Sequence, residues 1–399
     1  MKTRTVHVGE LALNDSGAFK IGPFGSSLKK TELVESGIPV AGIENVLPNN
    51  FVKGFRRFIT SRKFEELSDY EILPDDVLVT TMGTIGRAAS APRDIGRVIF
   101  DSHLFRMRVD TSRVFPPYLC YALNSDLVAS QLARMARGAI MDGLNTTILR
   151  ECSIPLPEIS EQRRIAGQLE QADRLRRTRR YALELTDTFL PAAFLDLFGD
   201  LIENPHGFRV EPLENLIQPT RPISYGILMP GPDVPNGVPY IRVTDIQDGQ
   251  VVTALVRRTT REIDEAYKRS KLKAGDLLLS IRGHVGRMAI VPACLEGANI
   301  TQDTARLATV DMIETYYVMG CLASRAMQRR MAGLTRGAAV QGINLGDVKE
   351  LPIPVPQLPL QQKFAALVER VERLRAVQRE ALRQAEHLFA SLLHRAFSG

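Results

Sequence analysis

The chain has 399 residues, of which 44% are hydrophobic and 24% are charged, and its formal net charge is +6. This composition is typical of globular proteins and excludes a fibre or a wholly disordered chain, while the length allows two or three domains. No run of about 18 apolar residues is present to cross a bilayer, and the four cysteines form neither a CxxC pair nor a cluster with histidines. We therefore expect a cytoplasmic protein with no disulfide framework, no metal site and no cofactor.

The sequence repeats itself after about two hundred residues, which defines its organisation. The matches that keep one register are residues 37–40 with 237–240, 83–87 with 283–287, 138–139 with 337–338, 143–145 with 342–344 and 154–157 with 353–356. The chain is therefore a duplication, and equivalent chemistry is expected at two places.

Each copy has two parts in chain order. The first is rich in Gly, Pro and short apolar runs such as 77–79 and 277–279, which predicts strands, with helix expected around 117–137 and 316–331. The second, of about 40 residues, begins after a Pro-x-Pro element and predicts one long helix. The predicted fold class is α+β, with two mainly β domains (1–157 and 200–356) and two long helices (158–199 and 357–399).

The helices carry an apolar seam at alternating steps of three and four, as in a coiled coil. Its members in the second helix are Phe364, Leu367, Val371, Leu374, Gln378, Ala381, Ala385, Leu388 and Leu392. The first helix has a poorer line that includes Leu175 and Arg179. Flush antiparallel pairing would place Arg179 opposite Gln378, a hypothesis for a register-fixing polar layer. The alternative is two separate solvent-bridging helices.

Particular segments make the chain recognisable. They are residues 155–165 with Leu169, Ala172 and Asp173, residues 354–364, residues 194–200 and the ending 396–399. Over essentially its whole length the chain resembles the DNA specificity subunit of type I restriction-modification systems, the HsdS family. The resemblance implies two target recognition domains related by a pseudo-twofold axis and an antiparallel coiled coil of the two long helices. It also implies a non-catalytic subunit whose partners are double-stranded DNA with a bipartite target, two methyltransferase subunits and, through them, motor-endonuclease subunits.

Catalytic signatures are missing from the sequence. Residues 115–118 have the two prolines and the ring of an adenine methyltransferase segment, but Phe115 stands where a side-chain oxygen is needed. No GxxxxGK[ST] phosphate loop occurs, and residues 347–349 resemble a nuclease Asp-x-Lys only faintly. The alternatives to a DNA-reading subunit are an enzyme with an unrecognised site and a scaffold that bridges proteins without reading sequence.

Positions shared by the two copies are candidates for phosphate contacts. Arg87 and Arg287 end Gly-x-x-Gly-Arg loops whose exposed N–H groups and positive charge suit a phosphate; the alternative is a hairpin turn with a solvated arginine. Asn145 and Asn344 follow Gly-x and suit either a base edge or, more simply, a turn or cap.

Positions that differ between the copies are candidates for base reading. These pairs are Met82 with Arg282, Thr84 with His284, Ser102 with Gln302, His103 with Asp303, and Met141 with Gln341. Arginine pairs with guanine and glutamine with adenine, so Arg282, Gln302 and Gln341 are the foremost candidates.

A basic run lies in the first long helix, at Arg174, Arg176, Arg177, Arg179 and Arg180. It suits DNA or an acidic partner, but its interleaving with acidic residues also suits a solvated helix face.

Overall fold

The computed structural model describes residues 4–15, 17–25, 27–135, 146–337 and 341–397. The chain divides into two compact units: unit 1 is Met1–Arg180 with Glu380–Gly399, and unit 2 is Tyr181–Arg379. Each unit combines a globular part of short strands and helices with about half of each of two 40-residue helices.

In the ranges that the structure describes, unit 1 contains the first eleven strands and four short helices. The strands are β1 (Arg4–His7), β2 (Phe19–Ile21), β3 (Ile38–Ala41), β4 (Val46–Leu47), β5 (Asn50–Phe51), β6 (Phe58–Ile59), β7 (Val77–Thr80), β8 (Ala88–Ser90), β9 (Ile99–Phe100), β10 (Leu104–Met107) and β11 (Ser153–Leu156). The helices are α1 (Ser61–Glu66), α2 (Pro116–Leu123), α3 (Asp126–Met135) and α4 (Thr146–Glu151), and the long helix α5 (Ile159–Phe198) begins in this unit.

Unit 2 repeats the plan. Its strands are β12 (Arg209–Pro212), β13 (Ser224–Tyr225), β14 (Val238–Ile241), β15 (Ile246–Gln247), β16 (Gln250–Val251), β17 (Arg257–Thr259), β18 (Leu277–Ser280), β19 (Met288–Ile290), β20 (Asn299–Ile300), β21 (Thr304–Leu307) and β22 (Pro352–Val355). Its helices are α6 (Arg261–Ala266), α7 (Thr315–Ala323), α8 (Arg325–Leu334) and α9 (Leu345–Lys349), followed by the long helix α10 (Leu358–Phe397).

The sheets have the same strand order in both units. A four-stranded antiparallel sheet runs β2-β10-β7-β8 in unit 1 and β13-β21-β18-β19 in unit 2. A three-stranded sheet runs β6-β3-β9 or β17-β14-β20, with one parallel pair. The first and last strands of each globular part pair as β1-β11 and β12-β22. The predicted α+β class with two repeated domains is confirmed.

The first three residues of strands β7 and β18, inside the larger sheets, are apolar and buried because both faces of these strands are covered. In β7, Val77 and Val79 belong to a core with α2, whereas Leu78 packs into a second core on the opposite face. Strand β18 of unit 2 divides in the same way: Leu277 and Leu279 belong to one core and Leu278 to the other.

The helical stretches predicted around 117–137 and 316–331 are each two helices. In unit 1, α2 ends at Leu123 and Asn124 donates a side-chain hydrogen bond to the Cys120 carbonyl, 2.8 Å away. In unit 2, Ser324 caps α8 by accepting from the Met327 N–H at 3.2 Å. At both places a polar side chain bonds the backbone and ends one helix or begins the next. The apolar pattern alone does not show this break.

Each long helix is joined to its globular part by a buried glutamine that bonds only main-chain atoms. Gln162 donates to the carbonyls of Pro157 and Arg113, at 2.9 and 3.0 Å, and accepts from the Phe115 N–H at 2.8 Å. Gln361 repeats two of these bonds, with Pro356 and Glu314.

A buried tyrosine reinforces each joint. The Tyr118 hydroxyl donates to the Pro155 carbonyl at 2.8 Å, and the Tyr317 hydroxyl donates to the Pro354 carbonyl at 2.6 Å. The Pro-x-Pro elements lie at the ends of strands β11 and β22, as expected of extended backbone.

Helices α5 and α10 pack together antiparallel within each unit. In unit 1, Arg180 pairs with Glu386 at 2.8 Å and Arg176 lies 3.8 Å over the Phe389 ring. In unit 2, Arg375 pairs with Asp187, and the Phe194 and Phe364 rings meet edge to face at 5.2 Å.

The seam prediction is right at some positions and wrong at others. Val371 is buried and Leu367 is partly buried, but Leu374 is 52% exposed. Leu175 is also exposed, at 41%. In the second helix the buried face shifts by one residue at alternate seam positions. Val368 is buried beside the predicted Leu367, and Phe389 is buried beside the predicted Leu388. The reason is that these helices also pack against their own globular parts, which pulls the buried face away from a strict heptad line.

Two arginines of the basic run form ion pairs within unit 1. Asp173 is fully buried and pairs with Arg176 at 2.6 Å and with Arg177 at 3.3 Å. Arg179 lies in unit 1 and Gln378 in unit 2, so the polar-layer hypothesis stays a prediction.

Candidate nucleic-acid interface

The two Gly-x-x-Gly-Arg segments are loops that connect strands of the four-stranded sheets. Residues 81–87 join β7 to β8, and residues 281–287 join β18 to β19. A buried hydroxyl closes each loop from inside. Thr80 donates to the Thr84 carbonyl and accepts from the Arg87 N–H at 3.0 Å. Ser280 makes the same two bonds in unit 2.

The glycines are required by the backbone of these loops. Gly83 and Gly86 have φ values of 69° and 87°, in the region that disfavours other residues. At Gly286, a Cβ atom would lie 2.4 Å from the Gln328 Oε1 atom. The hairpin turn therefore accounts for the glycine pattern without any ligand.

The arginines of these loops are not explained by the turn. Arg87 is half-buried and Arg287 is exposed. Within the ranges that the structure describes, neither guanidinium group has a carboxylate within 4.0 Å. Each keeps an uncompensated positive charge beside a loop of exposed backbone, which is the arrangement that a phosphate contact needs.

Three segments of unit 1 converge at the end of the four-stranded sheet where these loops lie. The Thr81 N–H donates to the His103 carbonyl at 2.9 Å, and the Gly22 N–H donates to the Leu104 carbonyl at 3.0 Å. We call this region sheet end 1; it comprises residues 22–25, 81–87 and 101–103. It brings together the predicted residues Thr84, Arg87, Ser102 and His103.

Sheet end 2 is the equivalent region of unit 2 and comprises residues 226–229, 281–287, 301–303 and 341–343. The Ile281 N–H donates to the Asp303 carbonyl at 2.8 Å, and the Gly283 N–H donates to the Gln341 carbonyl at 2.9 Å. The predicted residues collected here are Arg282, His284, Arg287, Gln302 and Gln341. Arg282, His284 and Gln341 are exposed, and Gln302 is partly exposed.

Asn344 directly follows residue 343 of sheet end 2. Asn344 precedes α9 and is exposed, and its side chain makes no capping hydrogen bond to that helix. Asn145 lies outside the described residues, as does Met141.

A charged network orients His103 in sheet end 1. The buried Asp101 carboxylate accepts from the His103 N–H at 2.9 Å, approaches its Nδ1 atom at 3.3 Å and pairs with Arg57 at 2.6 Å. Arg57 also pairs with Glu44 at 3.2 Å. Burial by itself would lower the pKa of Arg57, but the hydrogen bond and charge of Asp101 raise it, so this arginine is firmly cationic and committed to its partners.

Other shared charges are structural. Arg106 is buried and donates to the carbonyls of Asp69, Glu71 and Gly17 at 2.8–3.1 Å. Burial lowers the pKa of Arg106 and raises that of Asp76, which lies 3.9 Å away. Asp76 precedes β7, at the opposite end of the sheet from the loops, so neither group is a DNA candidate.

Sequence reasoning missed one part of both sheet ends. Residues 22–25 and 226–229 follow the edge strands β2 and β13, and they expose Phe24 and Met229. They correspond at an offset of 204, because unit 2 has four fewer residues between this segment and Gly237, so they do not match at an offset of 200. A glycine directly after each edge strand was the available signal.

Two further features concern the part of the chain that the structure describes. No group of three or more His, Cys, Asp or Glu side chains there could hold a metal ion, and Cys120, Cys152, Cys294 and Cys321 are free thiols. No helix in the same ranges is long and apolar enough to cross a membrane.

Comparison with known proteins decides the family. The model of the type I restriction modification DNA specificity domain matches residues 19–185 and, a second time, residues 232–387. The chain belongs to this family. The resemblance on which the sequence-based prediction rested is thereby confirmed, and the model matches once in each copy of the repeat.

Individual relatives of this specificity-family chain agree. It is 28% identical over 400 residues to the type I restriction enzyme EcoBI specificity subunit of Escherichia coli, covering 92% of this chain and 80% of the relative. It is 21% identical over 383 residues to the putative MjaX specificity subunit of Methanocaldococcus jannaschii, covering 91% and 87%. A solved type I restriction-modification S subunit from M. genitalium shares the fold, with a TM-score of 0.60, 15% identity and coverage of 100% and 96%.

Proposed function

We propose that this member of the specificity family reads a bipartite DNA target, one half-site for each recognition domain, and docks methyltransferase subunits through its long helices. Residues 1–157 would read one half and residues 200–356 the other. Chemistry on the DNA would be performed by the methyltransferase subunits and by motor-endonuclease subunits that join the complex through them.

One observation carries the reading part of the proposal. The two sheet ends share their backbone hydrogen bonds and loop glycines, yet their exposed side chains differ at matched places, for instance Thr84 against His284. Two similar scaffolds with different exposed side chains suit two different base sequences, because positioning contacts are shared and base contacts specify.

The helices support the docking part. In unit 2, α5 exposes Tyr181, Leu185 and Phe189 at intervals of four residues, which places them along one helix face. A row of large exposed apolar side chains is typical of a protein interface.

The reading proposal is tested by expressing the chain with its methyltransferase subunit and mapping adenine methylation across the host genome. A split motif is expected, and replacing residues 1–157 by those of another family member should change one half only. An unsplit motif, or a replacement that changes both halves, would contradict the proposal.

The docking proposal is tested in the same complex with Leu185→Glu. Co-purification with the methyltransferase subunit is expected to fall at least tenfold, because a charge in an apolar contact is left without water. Met312→Glu is the matched control, since Met312 is an exposed apolar residue in unit 2 outside the helices. Equal association of both variants would reject the helices as the docking surface.

A further inference from the structure

The segments that sequence reasoning missed have an unusual chemistry for a DNA-facing region. Phe24 is 60% exposed, and Met229 is 82% exposed with Leu228 beside it at 48%. We define residues 22–25 and 226–229 as the apolar tips of units 1 and 2. We propose that each apolar tip lies against thymine methyl groups of its half-site and thereby selects A·T pairs, an inference that rests on the proposed function.

The tips are fixed in place rather than loosely exposed. A Cβ atom on Gly22 would lie 1.9 Å from the Asp101 carbonyl oxygen, and one on Gly226 would lie 1.9 Å from the Ile300 carbonyl oxygen. Only glycine permits this approach of two backbone segments. The Ser27 N–H then donates to the Phe24 carbonyl at 2.8 Å.

The tips adjoin the residues predicted to read bases. Gly22 is bonded to Leu104, which follows Ser102 and His103 in the chain, and the Gln302 N–H donates to the Ile227 carbonyl at 2.9 Å. In the same sheet, β10 separates the tip from the 81–87 loop, so the two are about two strand spacings, or roughly 10 Å, apart. A side chain at the tip and one in the loop are therefore within reach of neighbouring base pairs.

The surroundings favour DNA over a protein as the occupant. Lys29 and Lys30 are exposed just after the first tip, and Arg87 and Arg287 carry uncompensated charge in the loops. Positive charge beside an apolar side chain suits a duplex groove, whose walls are phosphates. On the floor of the major groove the thymine C5-methyl is the apolar group that a phenylalanine or methionine can cover.

The test uses the assembled complex and its own target, found by methylation mapping. Thymines are replaced by deoxyuridine in one half-site at a time, which removes the methyl group and leaves base pairing intact. Covering one methyl group corresponds to about a fourfold change in Kd, so we expect at least that increase for substitution in either half.

Variants assign the effect to the tips. Phe24→Ala should abolish the deoxyuridine effect in the half read by unit 1 and leave the other half unchanged; Met229→Ala should do the reverse. Leu13→Ala is the matched control: Leu13 is 45% exposed and its N–H bonds the Arg108 carbonyl, at the opposite end of the same sheet.

The outcomes separate this inference from the proposed function. Sequence-specific binding that is indifferent to deoxyuridine in both halves, or an undiminished effect in Phe24→Ala, would overturn the tips while leaving half-site reading intact. Loss of methyltransferase association in Phe24→Ala would also overturn it, because the tip would then face a protein. Binding without any sequence preference would reject the proposed function itself.

Discussion

Sheet ends 1 and 2 have similar backbone structures but different exposed side chains. In both, a buried hydroxyl, two left-handed glycines and strand-to-strand hydrogen bonds hold the loop. In sheet end 1, Arg57 is tied to Asp101 and Glu44, whereas the equivalent residues around the exposed Arg257 are Thr301 and Thr244. Because main-chain atoms and buried hydroxyls set the shape, the exposed side chains are free to differ. A scaffold of this kind can change its specificity without changing its fold.

The two units also differ in how a buried carboxylate, Asp76 or Asp276, is paired. Asp276 is held by Arg221 through two bonds of 2.8 and 2.5 Å, whereas Asp76 has Arg108 at 3.4 Å and Arg106 at 3.9 Å. Both carboxylates also accept a backbone N–H, from Lys273 or Leu73. The same buried carboxylate is thus compensated strongly in unit 2 and weakly in unit 1.

The largest effect is expected from neutralising these carboxylates. Asp276→Asn should lower the free energy of unfolding by about 3 kcal/mol, because Arg221 loses its buried partner. Asp76→Asn should cost less than about 1 kcal/mol, because burial raises the pKa of Asp76 and its arginines lie 3.4 and 3.9 Å away, so the ionised carboxylate contributes less to stability than that of Asp276. Denaturant unfolding of the two variants would measure both values, and equal losses would remove this difference between the units.

The next effect concerns the loops. Arg282→Ala should weaken target binding by about 1–3 kcal/mol and relax one base pair in the half read by unit 2, because a guanine contact is lost. Thr84→Ala, in the equivalent loop of unit 1, should alter the other half. Binding-site selection with each variant would test this, and changes confined to a single half would contradict the division between the units.

The smallest effect should be shared by both units. Arg87→Ala and Arg287→Ala should each weaken binding to all sequences alike and reduce the slope of log K against log salt by about 1, because each loses one phosphate contact. Titrations at several salt concentrations would give the slopes. A variant that changed sequence preference instead would turn its arginine into a base-reading residue.

Much of this architecture is predictable from sequence because it rests on local signals. The register of the repeat located both loops, and the scarcity of Gly and Pro over about 40 residues predicted α5 and α10. The buried face of α10 was harder: Leu374 fits a heptad as well as Val368 does, and only packing against the globular part shows which one is covered. The apolar tips escaped because a length difference of four residues shifts their register, and because exposure of Phe24 is a tertiary property.

The glutamine joints have a consequence for how such a chain tolerates change. Gln162 bonds the main chain of residues 113, 115 and 157 and touches none of their side chains through those bonds. Because Gln162 bonds only peptide groups, this joint does not depend on which side chains those three residues carry. Recognition modules with quite different sequences could therefore be seated on the same helix, provided that their chain passes through the same three points.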